Sequence, residues 1–198
     1  MELTHQIILA SASPRRSELM QALGFEFEVR ATDAEEVLPK GLPHEESAEY
    51  LAVLKADAAL PWLSSSNLTL TADSVVLLGD EWLGKPVDAA EAIETLTKLC
   101  GNTHTVITGF CIQHLNEQGE LIRLSESVVT KVTIAAASLA EIEHYVATQP
   151  PLDRAGSYGI QDWIGWAKVA RIEGSYSNVM GLPTAEVYQA LSAFAKTS

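Results

Sequence analysis

The sequence predicts an α/β fold in which a mixed, twisted sheet is flanked by helices. Segments with helical periodicity alternate with β-rich segments along the chain, an order typical of α/β proteins. Two long β-rich segments, residues 103–113 and 121–135, are joined across a polar turn at 116–119 that has the composition of a hairpin, so the sheet is expected to be mixed rather than purely parallel. A chain of 198 residues is long enough for one sizeable domain, or for two lobes that share a cleft.

In the N-terminal half, local patterns predict two short strands, two helices and one longer β segment. The apolar residues 7–9 predict a buried strand, and Gly24 ends the helical pattern that follows, as a C-terminal cap does. Alternation of apolar and charged residues predicts a half-buried strand over 26–31, and an apolar stripe at helical spacing predicts a helix over 45–60. Residues 68–78 are β-like, and we expect Ala72-Asp73-Ser74 to interrupt them.

In the C-terminal half, two helices are predicted from capping signals. Asp88 with Glu91, and Ser138 with Glu141, have the spacing of a capping box, which predicts helices over 88–99 and 138–147. A proline pair then breaks the chain. The remainder predicts a β-like segment over 167–172, a turn over 174–177 and an amphipathic helix over 184–196.

The composition limits the class of function. The formal net charge is −13, whereas wide contact with nucleic acid or with an anionic membrane requires a basic surface. The two cysteines, Cys100 and Cys111, have neither a disulfide framework nor the spacing of zinc ligands. The N-terminal residues lack the basic and apolar regions of a signal peptide, and no apolar run approaches the ~20 residues that span a bilayer. We therefore expect a cytoplasmic protein without nucleic-acid or membrane partners.

The polar turn between the first strand and the first helix concentrates positive charge. Pro14 fits the first helical turn, because the N–H that it lacks would be unpaired there in any case. Ser11 and Ser13 place hydroxyl groups beside the free N–H groups of this terminus. Arg15 and Arg16 add two cations where the helix already has positive partial charge, and a bound anion such as phosphate would remove the conflict. An arginine pair that points into solvent is the alternative.

Asp73 is the leading candidate for a functional carboxylate, because it lies in an otherwise apolar stretch. A buried carboxylate must be paired, hydrogen-bonded or bound to a metal, although a turn Asp or a helix cap is the ordinary alternative. Ser74 could contribute a hydroxyl group to the same ligand. Glu35 and Glu36 lie in an acidic loop that solvation alone would explain; if the fold brings one of them to Asp73, the two carboxylates could hold Mg²⁺.

Two lysines supply matching positive charge. Lys55 lies beside the apolar stripe of its predicted helix, at the edge of the core, where lysine side chains normally extend to water. Lys85 lies in the short, rigid loop Gly84-Lys85-Pro86, although a surface lysine is the commoner case. Such cations and carboxylates together have the composition that phosphoryl chemistry requires. The sequence contains no HExxH, GxSxG, P-loop or GxGxxG motif.

The order of these motifs resembles the Maf family of nucleoside triphosphate pyrophosphatases from the N-terminal turn almost to the C-terminus. The segments that carry the resemblance are SASPRR at 11–16, the acidic pair at 35–36, Lys55, Ala72-Asp73-Ser74, Gly84-Lys85-Pro86, DRAGSYGIQ at 153–161 and GSYSNVMGLP at 174–183. The resemblance implies that residues 1–198 form one Maf-like domain, with two lobes around a deep cleft and a fold similar to the inosine triphosphate pyrophosphatases. It also implies a dependence on Mg²⁺ or Mn²⁺, a homodimer, and hydrolysis of a nucleoside triphosphate to the monophosphate and pyrophosphate.

The resemblance implies roles for individual residues as well. Asp73 would be the proton acceptor or a metal ligand, and Glu36 would help to bind the metal. The residues expected to bind the substrate are Ser11, Ser13, Arg15, Arg16, Lys55, Ser74, Lys85 and Gln161.

The branch of the family that the chain resembles depends on three positions, and it resembles the branch that acts on dTTP and UTP. Like that branch, the chain has Arg15 before Arg16 and the motif Tyr-Gly-Ile-Gln that ends at Gln161. The 7-methyl-GTP branch instead tends to have an aromatic residue in place of Arg15, Gln after the residue that corresponds to Asp73, and Phe with Glu in the later motif. Ser74 stands where the pyrimidine branch usually has Thr, which removes about 1 kcal/mol of apolar contact, and residues 162–165 stand where many members are glycine-rich. The amide of Gln161 can donate to and accept from the O4/N3 edge of uracil or thymine.

Three functions are compatible with this sequence. The first is a pyrophosphatase acting on dTTP, UTP or modified pyrimidine nucleotides, and the second is the same reaction on 7-methyl-GTP or deaminated purine nucleotides. The third is a nucleotide-binding regulator of cell division with little turnover. Asp73 together with the two lysines favours turnover, since a regulator needs affinity but no positioned base.

Overall fold

The computed structural model describes residues 3–195, and in that range it contains seven strands and seven α-helices. The strands are β1 (Gln6–Leu9), β2 (Phe27–Val29), β3 (Asn67–Leu78), β4 (Glu81–Trp82), β5 (Thr103–Leu115), β6 (Leu121–Ile134) and β7 (Val169–Glu173). The helices are α1 (Pro14–Ala22), α2 (Ser47–Ala58), α3 (Ala89–Leu99), α4 (Leu139–Thr148), α5 (Trp163–Lys168), α6 (Tyr176–Met180) and α7 (Thr184–Ser192).

The strands form one sheet in the order β2-β1-β3-β5-β6-β7, and β4 pairs with β3. β1 is parallel to β2 and to β3, whereas β4 and β7 run antiparallel to β3 and β6. The predicted α/β class, with a mixed sheet and flanking helices, is therefore confirmed. No helix within residues 3–195 has the length and apolar character needed to cross a membrane.

The described residues divide into two compact units. The first unit comprises residues 3–73, 108–128 and 181–195, and the second comprises residues 74–107 and 129–180. Whether a cleft lies between two lobes, as the resemblance implies, stays a prediction.

In the first unit, alternate residues of β5 serve the two faces of the sheet. Phe110 and Ile112 join a buried cluster with residues of β1, β3, α1 and α7, whereas Cys111 packs against Ala52 and Ala56 of α2. Gly109 allows α2 to approach the strand closely, because a Cβ atom at this position would lie 2.3 Å from the backbone nitrogen of Glu49.

In the second unit, both predicted helix starts are confirmed. Ser138 and Glu141 form a reciprocal capping box at the start of α4. Asp88 caps α3 by accepting from the N–H of Glu91 at 2.9 Å. The core of this unit consists of residues from β3, β5, β6, α3, α4 and α5, together with residues of the loop before α5.

Three predicted segments differ from the structure. β3 runs without a break from Asn67 to Leu78, so the expected interruption at Ala72-Asp73-Ser74 is wrong: the carboxylate of Asp73 is paired with Lys55 of α2 instead of ending the strand. The β-like segment predicted over 167–172 begins only at Val169, after α5, and the predicted turn over 174–177 runs into α6. The last predicted helix is helical over Thr184–Ser192, and residue 196 lies outside the described residues.

Candidate active site

Asp73 and Lys55 are brought together by the packing of α2 on β3. The hydroxyl of Thr71, two residues before Asp73 and therefore on the same face of the strand, donates to the backbone carbonyl of Ala52 at 2.7 Å. Lys55 lies one helical turn after Ala52, on the same side of α2. Its ammonium group therefore reaches the carboxylate of Asp73, to which it donates a hydrogen bond.

Of the acidic pair Glu35 and Glu36, it is Glu36 that contacts Lys55. Nζ of Lys55 lies 2.9 Å from Oε1 of Glu36, whereas Glu35 is exposed and, among the described residues, its carbonyl accepts a hydrogen bond from the N–H of Val37. The expectation that Lys55 extends to water is wrong, because its side chain is only 14% exposed and its charge is matched by two carboxylates.

The N-terminal turn lies next to this pair. The N–H of Ala10 donates to the carbonyl of Leu70 at 2.8 Å, so the chain leaves β1 alongside the segment of β3 that leads to Asp73. Beyond it, the buried hydroxyl of Ser11 accepts from the N–H of Ser13 and from the guanidinium of Arg16, both at 3.2 Å. Ser13 is the N-cap residue of α1, but its side chain makes no capping hydrogen bond.

Arg16 does not point into solvent as the alternative proposed. Its Nε donates to the carbonyl of Gly181 at 2.8 Å, and burial lowers the pKa of its guanidinium while the negative charges of Asp73 and Glu36 raise it. The positive charge of Arg15 opposes that of Arg16. Arg16 therefore stays charged and belongs to one electrostatic cluster with the Lys55 pair.

Three predicted site residues belong to the second unit: Ser74, Lys85 and Gln161. Lys85 is exposed, and the loop that carries it is fixed at its base, because the N–H of Gly156 donates to the carbonyls of Leu83 at 3.0 Å and Gly84 at 3.1 Å. Gly156 has φ +69°, and a Cβ atom there would lie 3.0 Å from Val76, so glycine suits this junction.

The segment that leads to Gln161 contains several polar atoms without partners. The buried Ser157 has φ +58° and a hydroxyl group that makes no hydrogen bond to any described residue. The amide oxygen of Gln161 is likewise buried and accepts no hydrogen bond from the described residues. Tyr158, between them, is fixed by His104, whose Nε2 lies 2.8 Å from the phenol oxygen. Unsatisfied buried oxygen atoms are uncommon in folded proteins, and two of those among the described residues lie within five residues of each other in this segment.

The sequence did not single out a second set of residues in this segment. Tyr145 of α4 donates from its hydroxyl to Asp162 at 2.8 Å and accepts from the N–H of Gly159 at 3.2 Å, and Arg154 pairs with Asp162. Tyr145 occupies an apolar position of an amphipathic helix and so was indistinguishable from a core residue. The charged pair at 154 and 162 was the one signal that could have pointed to it.

The donor set of the first unit fits a divalent cation of the magnesium type. The carboxylates of Glu36 and Asp73 already share one cation, the ammonium of Lys55, and carboxylate oxygens are the ligands that Mg²⁺ prefers. Nowhere in residues 3–195 do three or more His, Cys, Asp or Glu side chains form a group that could hold a metal ion. Mg²⁺ commonly binds through one or two carboxylates, with water and substrate phosphate as its other ligands.

Comparison with known proteins identifies the family of the chain. Residues 6–194 match the family model described as "Maf-like protein". Two relatives named dTTP/UTP pyrophosphatase are each 45% identical to this chain. The match to the protein of Flavobacterium psychrophilum covers 92% of this chain and 91% of that protein, and the match to the protein of Phocaeicola vulgatus covers 94% of this chain and 95% of that protein. Among solved structures, a HAM1 protein from Coxiella burnetii is 18% identical, with a TM-score of 0.43 over 67% of this chain and 74% of that one. The chain belongs to the Maf family.

Proposed function

We propose that this chain hydrolyses dTTP and UTP to the nucleoside monophosphate and pyrophosphate. The observation that carries the proposal is the cluster in the first unit, in which the Lys55 ammonium joins Asp73 and Glu36 beside the buried charge of Arg16. A balanced set of cations and carboxylates, held on a strand and a helix, is the arrangement that phosphoryl transfer to water requires.

The residues of this cluster have distinct roles in the proposed reaction. Asp73 accepts a proton from the attacking water, since its carboxylate is fixed in the strand and only 13% exposed. Arg16 and Lys55 neutralise charge on the phosphate oxygens, and Arg16 is well suited because its planar group can bind two oxygens at once. Lys85 adds a further cation to the triphosphate, on a loop that Gly156 fixes.

The proposal includes Mg²⁺ or Mn²⁺, held by Glu36 and Asp73. When bound, such an ion supplies Lewis acidity toward phosphoryl oxygens. Lys55 contacts both carboxylates, so it would lie beside the bound ion, where its ammonium group could donate to a phosphate oxygen of the substrate.

The choice of pyrimidine bases rests on the relatives named dTTP/UTP pyrophosphatase and on Gln161. Its buried amide oxygen, which has no hydrogen-bond partner within residues 3–195, suits the N3–H of uracil or thymine, and the amide N–H₂ suits O4 of the same ring. Arg15 and Ser74 complete the set that we assign to substrate binding.

The proposal also includes a cytoplasmic homodimer that binds no nucleic acid. Both cysteines are free thiols, and Cys111 is buried, which supports a reducing compartment. Light scattering coupled to size exclusion measures the oligomeric state directly.

Pyrophosphate release with Mg²⁺ from dTTP, UTP, CTP, 7-methyl-GTP and ITP tests the function. Fast release from dTTP and UTP alone is the expected result. Asp73→Asn should lower kcat by about 10²–10⁴-fold or more, because it removes the proton acceptor and a metal ligand while keeping the side-chain shape. Asp57→Asn is the matched control: this Asp is also on the first unit but pairs with Arg123 at the surface, and its loss should leave turnover unchanged.

Each contrary result has a definite meaning. Release confined to a purine nucleotide would retain the chemistry and refute the base assignment. Tight nucleotide binding without release would favour a regulator, and near-normal turnover of Asp73→Asn would refute the role given to Asp73.

A further inference from the structure

A single phenol group joins the two ends of the segment that presents Gln161. Tyr145 is fully buried in α4. Its hydroxyl donates to Oδ2 of Asp162 at 2.8 Å and accepts from the N–H of Gly159 at 3.2 Å, and Nη1 of Arg154 lies 3.4 Å from the same oxygen. A phenol has one proton to donate and two lone pairs to offer, so its capacity is fully used here.

Further bonds fix Asp162, the residue that follows Gln161. Its carboxylate pairs with Arg154, and the two side chains are only 11% and 19% exposed. Its N–H donates to the carbonyl of Gly159 at 3.0 Å, which closes a tight turn around Gln161. The carbonyl of Gln161 itself accepts from the indole of Trp166 at 2.8 Å.

The side chains of Arg154 and Asp162 pack closely against Gly159. A Cβ atom on Gly159 would lie 2.3 Å from Nη1 of Arg154 and 2.6 Å from Oδ2 of Asp162. The hydrogen bonds on Gly159, on Asp162 and on the carbonyl of Gln161 hold the backbone on both sides of Gln161, which limits the positions that its side-chain amide can take.

We propose that Tyr145 is a positioning residue that sets base selection, because it holds Asp162 and Gly159 and thereby fixes the amide of Gln161. This inference rests on the proposed function. Uracil presents a donor at N3 and an acceptor at O4, whereas cytosine presents an acceptor at N3 and a donor at N4, so the two bases require opposite orientations of the amide. A fixed amide leaves an unpaired polar group against the wrong base, while a mobile amide adapts to either base and loses the discrimination.

The test removes only the hydroxyl. Tyr145→Phe keeps the buried ring, and kcat and KM are measured with UTP and with CTP. We expect the ratio of kcat/KM for UTP over CTP to fall about tenfold, as for the loss of one well-placed hydrogen bond, with most of the change in KM for UTP.

Two comparisons separate positioning from a general loss of stability. Ile142→Val removes one buried methyl group from the same helix, and it should lower stability without changing the UTP/CTP ratio. In a Gln161→Ala background, Tyr145→Phe should leave the ratio unchanged, because there is no amide left to position. Asp162→Asn, which keeps an acceptor for the phenol but weakens the pair with Arg154, serves as the second variant if Tyr145→Phe does not fold.

Two results would overturn the inference. One is an unchanged ratio in both Tyr145→Phe and Asp162→Asn while Gln161→Ala abolishes the preference. The other is an equal effect of Tyr145→Phe with and without Gln161. An inactive wild-type protein, by contrast, would refute the proposed function itself.

Discussion

Acid is expected to destabilise this protein through His104. The ring is 1% exposed, its Nε2 lies 2.8 Å from the hydroxyl of Tyr158, and its Nδ1 has no hydrogen-bond partner among the described residues. Burial lowers the pKa of His104 from 6.5 to about 4. The unfolded chain therefore binds the proton more tightly than the folded chain. The stabilisation is complete above about pH 6.5 and is lost as the pH falls from there toward 4.

The magnitude follows from that interval. Each pH unit between the two pKa values removes about 1.4 kcal/mol of unfolding free energy. The loss from this one residue should be about 2 kcal/mol between pH 7.5 and pH 5, and about 3 kcal/mol over the whole range. That is a large part of the 5–15 kcal/mol typical of a folded domain.

Urea denaturation of the wild type and of His104→Gln at pH 7.5 and pH 5 measures this effect. Glutamine does not titrate, so the fall in unfolding free energy between the two pH values should be about 2 kcal/mol smaller in the variant. His144→Gln, at an exposed histidine of the same unit, is the control for the substitution itself. An identical pH dependence in His104→Gln and the wild type would refute the reasoning.

Three further predictions follow from packing, capping and burial. Gly109→Ala should lower the unfolding free energy by about 3 kcal/mol or more, because its Cβ atom would meet backbone atoms at Glu49. The control Gly84→Ala, whose Cβ atom would have its nearest neighbour at 3.8 Å, should lower it by less than about 1 kcal/mol. Urea denaturation measures the unfolding free energy of both variants. Ser138→Ala should cost about 1 kcal/mol by removing the cap of α4, and an unchanged midpoint would contradict this. Burial raises the pKa of the Cys111 thiol to about 12, so it should resist thiol reagents at pH 8 in the folded protein and react once urea unfolds it.

The sequence predicts an element well where its determinants are local. Helices α3 and α4 begin at the expected capping residues because a cap is a contact between neighbours in the chain. Helix α5 was missed although its close packing is local: a Cβ atom on Gly165 would lie 1.9 Å from the carbonyl oxygen of Ile160, five residues earlier, so the contact needs glycine. Five or six residues are too few to show helical periodicity.

The same distinction applies to the candidate site. Asp73 and Arg16 could be found because a carboxylate in an apolar strand, and a cation at a helix N-terminus, are locally unfavourable. The burial of Lys55 could not be found, since it depends on α2 packing against a strand that follows it. Tyr145 itself could not be found, because its hydroxyl contacts residues 14 and 17 positions later in the chain.

The charge of the N-terminal turn supports a divalent cation in the proposed reaction. In the first unit, the charges of Arg15, Glu36 and Asp73 all act on Arg16, and Lys55 pairs with the two carboxylates. These five groups together carry a formal charge of only +1. The conflict at the start of α1 is therefore already relieved by the protein itself, and a phosphate is not required to relieve it. A nucleoside triphosphate brings about four negative charges, which such a cluster cannot balance. A divalent ion on the two carboxylates would remove most of that excess, and it would release the Lys55 ammonium to face the phosphates.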